Sequence, residues 1–598
     1  MRKFHIRTAI SSKLERALTW KIRYISEKNF VFIISGIVGI VAGLAAVALK
    51  QSVHFIQHKL TSETFSYSYL QIVLPMLGLL ITIFLARILY KEAQLGHAIT
   101  DILYSISKKS GIIGKSKMYS RMVTSAFTVG LGGSAGLESP IVLTGSAIGS
   151  NIAQLVNMNY KMRTLMIGCG TAGVISAIFN APIAGLIFSL EVILFDISVA
   201  SFIPLLMASV SATMVSLVLL GEDALFSFRL LDTFNAFDIP LYIALGVVCG
   251  FISRYFTDFL HWMEMIFERI KNGTNRALVG GVLLCLAIFL FPAVYGEGYL
   301  FIKDMLNGNT AGLLDKMLFF KSADTNSWTF FGYLVALILV KTIASAITIS
   351  AGGSGGTFAP SFFLGGVTGY SFAKFINLSG LAFISESNFA LVGMCGVLCG
   401  VQYAPLTAIF LIAELTGGYT LFIPLMIVSA ISYSTVTYFN ANSPYIRDLM
   451  HRGEYVQNGQ DMQVLGNLSI NKIIEREFKA VPVDGKLKDM VKSISVSKRN
   501  IFPVLNEDGG LEGIVTLDDV RDIMFNPEKQ KEVDIADIME LPPNYVEYGE
   551  SMQSVMHKFE TSQAWNLPVI RKGKYEGFVS KSRIFNVYRE QVIKQQKK

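Results

Sequence analysis

The sequence predicts an α-helical integral membrane protein with an internally duplicated, inverted-repeat bundle of tilted and half-spanning helices, followed by a small α/β tail. Three observations predict it. Hydrophobic residues make up 52% of the 598 positions and charged residues only 16%, with a mean hydropathy of +0.49, too apolar for a soluble chain of this size. The punctuation of one apolar half recurs in the other: Gly136-Leu137-Glu138-Ser139-Pro140 is matched 220 positions later by Gly356-Thr357-Phe358-Ala359-Pro360. Ala181-Pro182 with Glu191 nine residues on is matched 223 positions later by Ala404-Pro405 with Glu414. Such duplication is typical of transport proteins whose broken helices meet near the bilayer midplane. Finally, composition turns charged and globular after about Asn442.

In chain order, residues 1–28 read as a basic cytoplasmic arm, from the Arg and Lys of Met1–Lys28 and the positive-inside bias. The first apolar run starts near residue 29 and is long enough to span, which argues against a cleaved signal peptide. Residues 29–450 form the transport domain. Apolar runs begin at Phe30 and Leu70 and continue over Met166–Leu194, Phe202–Leu220, Ile239–Phe256, Ala277–Phe291, Phe331–Ile349, Ala390–Leu415 and Leu421–Tyr433. A full crossing needs roughly 20 apolar residues. The runs broken by Gly and Pro predict half-spanning helices, which survive only where protein or a water-filled cavity covers them. The net charge of +8 fits the same bias, and no basic stripe interleaved with aromatics marks a nucleic-acid partner. The five cysteines lie in apolar segments and predict no disulfide framework.

The glycines at 130, 132, 133 and 136 permit close backbone approach, and Pro140 suits the first turn of a helix. Such a start leaves backbone N–H groups unpaired beside roughly half a unit of positive charge, an anion site without a full cation. An ion that binds there weakly can also leave. Gly352, Gly353 and Gly355 lead into the second copy. Glu138 places a carboxylate where an anion would sit, and protonation would neutralise it. An acid inside an apolar segment is functional by default, as a proton-sensitive gate; the plainer reading is an acid that stabilises a helix start.

These motifs, with Phe179-Asn180-Ala181-Pro182-Ile183-Ala184-Gly185, resemble the CLC family of chloride channels and chloride/proton antiporters over roughly residues 30–450. The resemblance implies a homodimer in the bilayer with one pore per subunit and chloride as the ion. It implies that Glu138 is the gating glutamate. Gly136, Leu137, Thr357 and Phe358 then supply backbone donors to the anion, and Tyr445 its hydroxyl. The family's first signature, often Gly-Ser-Gly-Ile-Pro, is best matched by Gly96-His97-Ala98-Ile99-Thr100. His97 stands where a serine would ligate the anion, and Thr100 where the family has proline. Family antiporters usually carry two acids where this chain has Glu191-Val192. Valine cannot relay a proton, so Val192 implies a passive channel; exchange of chloride for protons through the same glutamate is the alternative. Glu191 and its partner Glu414 read as structural. The family and the absence of a signal sequence together suggest a bacterial inner membrane with both termini cytoplasmic.

The tail, joined near Tyr445–Gln460, holds two similar units at 465–528 and 533–590. Each runs helix, strand, turn, strand, helix. The helices Lys486–Val496 and Ser551–Phe559 precede Phe502-Pro503-Val504-Leu505 and Leu567-Pro568-Val569-Ile570. These units resemble a pair of CBS domains. The resemblance implies an adenine nucleotide held by Thr516 and Asp519 in the first unit. In the second, Arg583 replaces the acid after Ser580, leaving a dimerising module as the simpler reading. No cofactor is required. No Ser/His/Asp constellation, His-Glu-x-x-His or lysine-bearing phosphate loop supports an enzyme.

Overall fold

The computed structural model describes residues 26–61, 70–90, 97–194, 199–221, 234–307, 327–451 and 470–596. It divides into two compact units, Met1–Tyr455 and Val456–Lys598.

Among the described residues the first unit is built of helices, apart from turns and one two-residue bridge. Its first eight helices are α1 (Glu27–Thr61), α2 (Leu70–Tyr90), α3 (Ala98–Lys108), α4 (Ser120–Gly130), α5 (Glu138–Leu155), α6 (Tyr160–Phe179), α7 (Pro182–Phe188) and α8 (Val199–Leu220). The next eight are α9 (Ile239–Glu268), α10 (Gly273–Leu290), α11 (Tyr299–Leu306), α12 (Trp328–Ser350), α13 (Phe358–Ser379), α14 (Glu386–Gln402), α15 (Pro405–Leu415) and α16 (Phe422–Phe439). The unit ends in α17 (Pro444–His451). Each helix of the first set has its counterpart eight places on. The packing repeats accordingly: α5 lies on α6 as α13 lies on α14, and α1 lies on α8 as α9 lies on α16.

Glycine makes the α5–α6 crossing possible, and the device is duplicated. A Cβ on Gly149 would lie 1.9 Å from the Met166 carbonyl oxygen; one on Gly369, 220 residues later, would lie 1.9 Å from that of Phe389. Only the absence of a side chain lets the backbones approach this closely.

Among the described residues, eight helices are long and apolar enough to cross a membrane. Large apolar side chains such as Ile33, Phe84, Phe202, Met214, Val282 and Ile423 point outward, as expected of helices whose outer faces meet lipid. The run expected over Met166–Leu194 is two helices. Asn180 adopts a left-handed backbone (φ 53°), ending α6, and Pro182 then starts α7. A π-helical turn, Ser189–Leu194, extends α7. The second half breaks at the equivalent place, with Tyr403 at φ 58° before Pro405. All five cysteines are free thiols.

The second unit holds two three-stranded sheets of identical plan. β1 (Val481–Pro482) pairs parallel with β2 (Ile501–Leu505), which pairs antiparallel with β3 (Leu511–Thr516). β4 (Val546–Glu547), β5 (Asn566–Arg571) and β6 (Lys574–Ser580) repeat the plan, with Val569 opposite Gly577 as Val504 is opposite Gly513. The expected helices are α18 (Leu487–Val496) and α22 (Met552–Ser562). Between them lie α19 (Leu517–Val520), α20 (Pro527–Glu532) and α21 (Ile535–Ile538), and α23 (Lys581–Gln596) follows β6. The short leading strands β1 and β4 add to the pattern read from sequence. Each repeat has its own apolar core, around Phe502, Val504 and Val515 in the first and Phe559, Leu567 and Val579 in the second.

Candidate anion pathway and gate

The duplicated motifs meet. Gly136 and Gly356 form an antiparallel bridge, each N–H donating to the other's carbonyl at 2.9 and 2.8 Å. This pairing brings the starts of α5 and α13 together. It also corrects an expectation: the Gly136 N–H is committed to backbone, and the Leu137 N–H donates to Glu297 Oε1 at 3.3 Å. Burial explains both, since an unpaired backbone donor away from water is costly.

Glu138 is the first residue of α5 and is 2% exposed. Its Oε1 accepts the Tyr299 hydroxyl at 2.6 Å. Its Oε2 is fully buried, and the backbone N–H groups of Ala359 and of Glu138 itself act on the carboxylate. The side chain folds back over Gly136: a Cβ there would sit 2.1 Å from Glu138 Oε2 and 2.9 Å from the Ala359 nitrogen. The carboxylate therefore lies against the opening turn of the other repeat's helix, where the first N–H groups have no intrahelical acceptor and the field favours a negative charge.

That opening turn carries Thr357, the N-cap of α13, and Phe358, its first residue. The Phe358 ring is buried and packs on Phe179, Phe188 and Phe362 at centroid distances of 5.5, 6.2 and 5.5 Å. Thr357 Oγ1 accepts from Gln402 Nε2 at 3.1 Å, and Gln402 Oε1 accepts the hydroxyl of Tyr445 on α17. The three form a chain, Tyr445–Gln402–Thr357, across three elements. Gln402 was not singled out from the sequence; as the last residue of a helix that is apolar from Phe389 onward it is a buried polar group needing partners.

His97 precedes α3 as its N-cap, with an extended backbone. Its Nε2 lies 3.1 Å from Glu264 Oε1 on α9, so the imidazole is engaged by a carboxylate. Helix α3 packs against α17, which carries Tyr445. Thr100, where the family has proline, is buried within α3. Gly96 lies outside the described residues.

Val192 is buried in the π-helical turn among apolar neighbours. The acid beside it has a different task. Glu191 accepts the Leu406 and Thr407 N–H groups at 3.1 and 2.8 Å and the Thr407 hydroxyl at 2.7 Å, capping α15. Glu414 accepts the Ile183 and Ala184 N–H groups at 3.0 and 2.8 Å, capping α7.

Two further groups lie beside Glu138. Glu297 belongs to the turn before α11, and Lys341, fully buried on α12, donates to the carbonyls of Gly296 (2.9 Å), Glu297 (3.3 Å) and Val294 (3.4 Å). The signal for both was present: an acid between two glycines, and one lysine in a 23-residue apolar helix.

In the second unit, Asp519 Oδ2 accepts the Thr516 N–H at 2.7 Å in a capping box that starts α19. In the other repeat, Ser580 Oγ donates to Glu475 Oε1 at 2.5 Å and accepts the Arg583 N–H at 3.2 Å.

A duplicated helix bundle, broken at equivalent points and converging on a buried acid, defines a multi-pass membrane transport protein. The chain belongs to the voltage gated chloride channel (CLC) family, whose pattern matches residues 77–437. CBS domain patterns match residues 470–526 and 535–590. Chloride channel protein CLC-f of Arabidopsis thaliana is 25% identical over 72% of this chain; the chain spans 61% of that relative's length. The H(+)/Cl(-) exchange transporter ClcA of Klebsiella pneumoniae is 26% identical over 71% of this chain and 88% of that protein. A crystal structure of a eukaryotic CLC transporter superposes with a TM-score of 0.60 at 17% identity, covering 93% of this chain and 99% of that one. The family transports anions across membranes.

Proposed function

We propose that the chain conducts chloride passively through a pathway that Glu138 gates. The observation that carries this reading is that the buried Glu138 carboxylate meets the backbone N–H of Ala359 at the start of α13. There it takes the field and donors that an anion would use. Protonation removes the competing charge, the side chain withdraws, and chloride binds near Phe358, Thr357 and Tyr445. The buried, apolar Val192 supports the passive form, because no titratable side chain stands at that position to pass protons on. The protein works as a homodimer in a bacterial inner membrane with both termini cytoplasmic, and Thr516 and Asp519 mark where an adenine nucleotide would bind the tail.

Chloride/proton exchange is the second reading, favoured by relatives that are 26% identical and named as H(+)/Cl(-) exchange transporters. Protons would then bypass Val192 through water.

The test is simultaneous chloride and proton flux from purified protein in liposomes under a chloride gradient. Chloride efflux without proton movement is the expected result; uphill proton movement makes the protein an exchanger. Glu138→Ala should keep chloride flux, make its pH dependence shallower and abolish any coupled proton movement. A pH profile identical to the unmutated protein would remove Glu138 from the gate.

A further inference from the structure

Glu138 is one of two acids at the start of α5. Glu297 approaches the same turn from the 294–298 segment, two residues before the Tyr299 that donates to Glu138. Its Oε1 holds the N–H of Leu137, the N-cap of α5, at 3.3 Å. That N–H is among the few donors that a helix start offers to an incoming anion.

The support for Glu297 is rigid. Lys341 Nζ binds three carbonyls of the segment. The Gly296 N–H donates to the Gly132 carbonyl at 3.0 Å. Gly132 has φ 99°, and a Cβ there would lie 2.1 Å from the Tyr295 ring, so the segment seats against bare backbone. Gly298 has φ 87°, and a Cβ there would collide with Phe363 at 2.5 Å. The charged and titratable groups that face Glu297 are Glu138 on α5, Lys341 on α12 and Lys50 on α1, with the Tyr299 phenol on α11 beside Glu138. Glu297 is half-buried and Glu138 is 2% exposed, so both carboxylates are largely withdrawn from bulk water.

We propose that Glu297 is a second proton-operated gate in series with Glu138, an idea that rests on reading Glu138 as the first. Ionised, the Glu297 carboxylate occupies the Leu137 N–H in place of the transported anion. On taking a proton from solvent it becomes a neutral acid and a weaker acceptor, since bonds to an ionised acceptor are roughly twice as strong as neutral ones. The Leu137 N–H then passes to the anion. Two carboxylates and an anion cannot share one helix start while all are charged; two protonations clear it.

The experiment is chloride efflux from liposomes holding the full-length protein, measured against a pH kept equal on both sides, for the unmutated chain, Glu138→Ala, Glu297→Gln and the double variant. A single titrating gate closes by up to about tenfold per pH unit above its midpoint, and two in series close more steeply. The unmutated profile should be the steepest, each single variant shallower, and the double variant flat. If Glu138→Ala alone is flat and Glu297→Gln keeps the unmutated slope, the second gate does not exist. If Glu138→Ala keeps the unmutated slope, the first gate fails, and Glu297 is still judged by its own variant. A structural role for Glu297 would lower flux equally at every pH, which also overturns the proposal. Should Glu297→Gln not yield monodisperse protein, Glu297→Asp retains the charge on a shorter arm. It should keep the slope and move the midpoint, and a profile superimposable on the unmutated one overturns the proposal.

Discussion

Glu191 and Glu414 hold each other's repeat in place: each carboxylate closes the open end of the short helix that begins the other's segment. Glu191 sits at the end of α7 and caps α15; Glu414 sits at the end of α15 and caps α7. The two helices pack together, so four backbone donors at their starts are satisfied across the duplication and not within either half.

Removing one acid should therefore loosen both halves. Loss of a helix cap costs about 0.5–2 kcal/mol, with more where the freed donors are buried. Glu414→Ala and Glu191→Ala are each expected to lower the thermal unfolding midpoint of the detergent-solubilised protein by several degrees and to similar extents. An unchanged midpoint in both would show that water satisfies these helix starts equally well.

Tyr445 and Gln402 make opposite predictions for anion affinity. The Tyr445 hydroxyl has one proton, and Gln402 Oε1 accepts it. To ligand an anion the hydroxyl must leave Gln402. Tyr445→Phe should weaken chloride binding, whereas Gln402→Met should tighten it, by the roughly 0.5–1.5 kcal/mol of a net hydrogen bond, or about two- to tenfold. Titration calorimetry decides the matter: equal affinities in both variants would take Tyr445 out of the site.

Glu550 gives the tail a defined acid response. Burial pushes its carboxyl up, but hydrogen bonds from the Lys558 ammonium, the Ser554 hydroxyl and the Glu547 N–H outweigh that and hold it below the ordinary value. A lowered folded-state value contributes stability that is present above the unfolded value of 4.5 and disappears as pH falls through the folded one. Lys558→Met should bring local opening of residues 546–562 to a higher pH on acidification, read by hydrogen exchange of the full-length protein. Identical exchange profiles between pH 3 and 6 would remove this pair from the acid response.

Much of this was legible in the sequence because backbone punctuation carries it. Proline and glycine at 140, 182, 360 and 405 mark where helices must start, and the acids at 191 and 414 recur with them. The break of the 166–194 run was foreshadowed by Ala181-Pro182, since the residue before proline avoids the helical region. Less legible was what the acids touch. Contacts such as Tyr299 to Glu138, 161 positions apart, depend on how the halves dock, which no local pattern encodes. The unpaired donors expected at Gly136 and Leu137 follow from a helix start seen alone; the second half and the 294–298 segment supply acceptors. His97 was read from its alignment with a serine, and its carboxylate neighbour Glu264 lies on a helix 167 positions away that only the fold brings near.

The bridge between Gly136 and Gly356 also bears on how the protein is made. A nascent chain inserts the first repeat long before residue 356 leaves the ribosome, and until then the start of α5 has no partner strand and Glu138 no facing helix. The order of synthesis thus leaves the start of α5 incomplete until the second repeat arrives. A fragment ending before residue 356 lacks both the bridge partner of Gly136 and the helix start that faces Glu138.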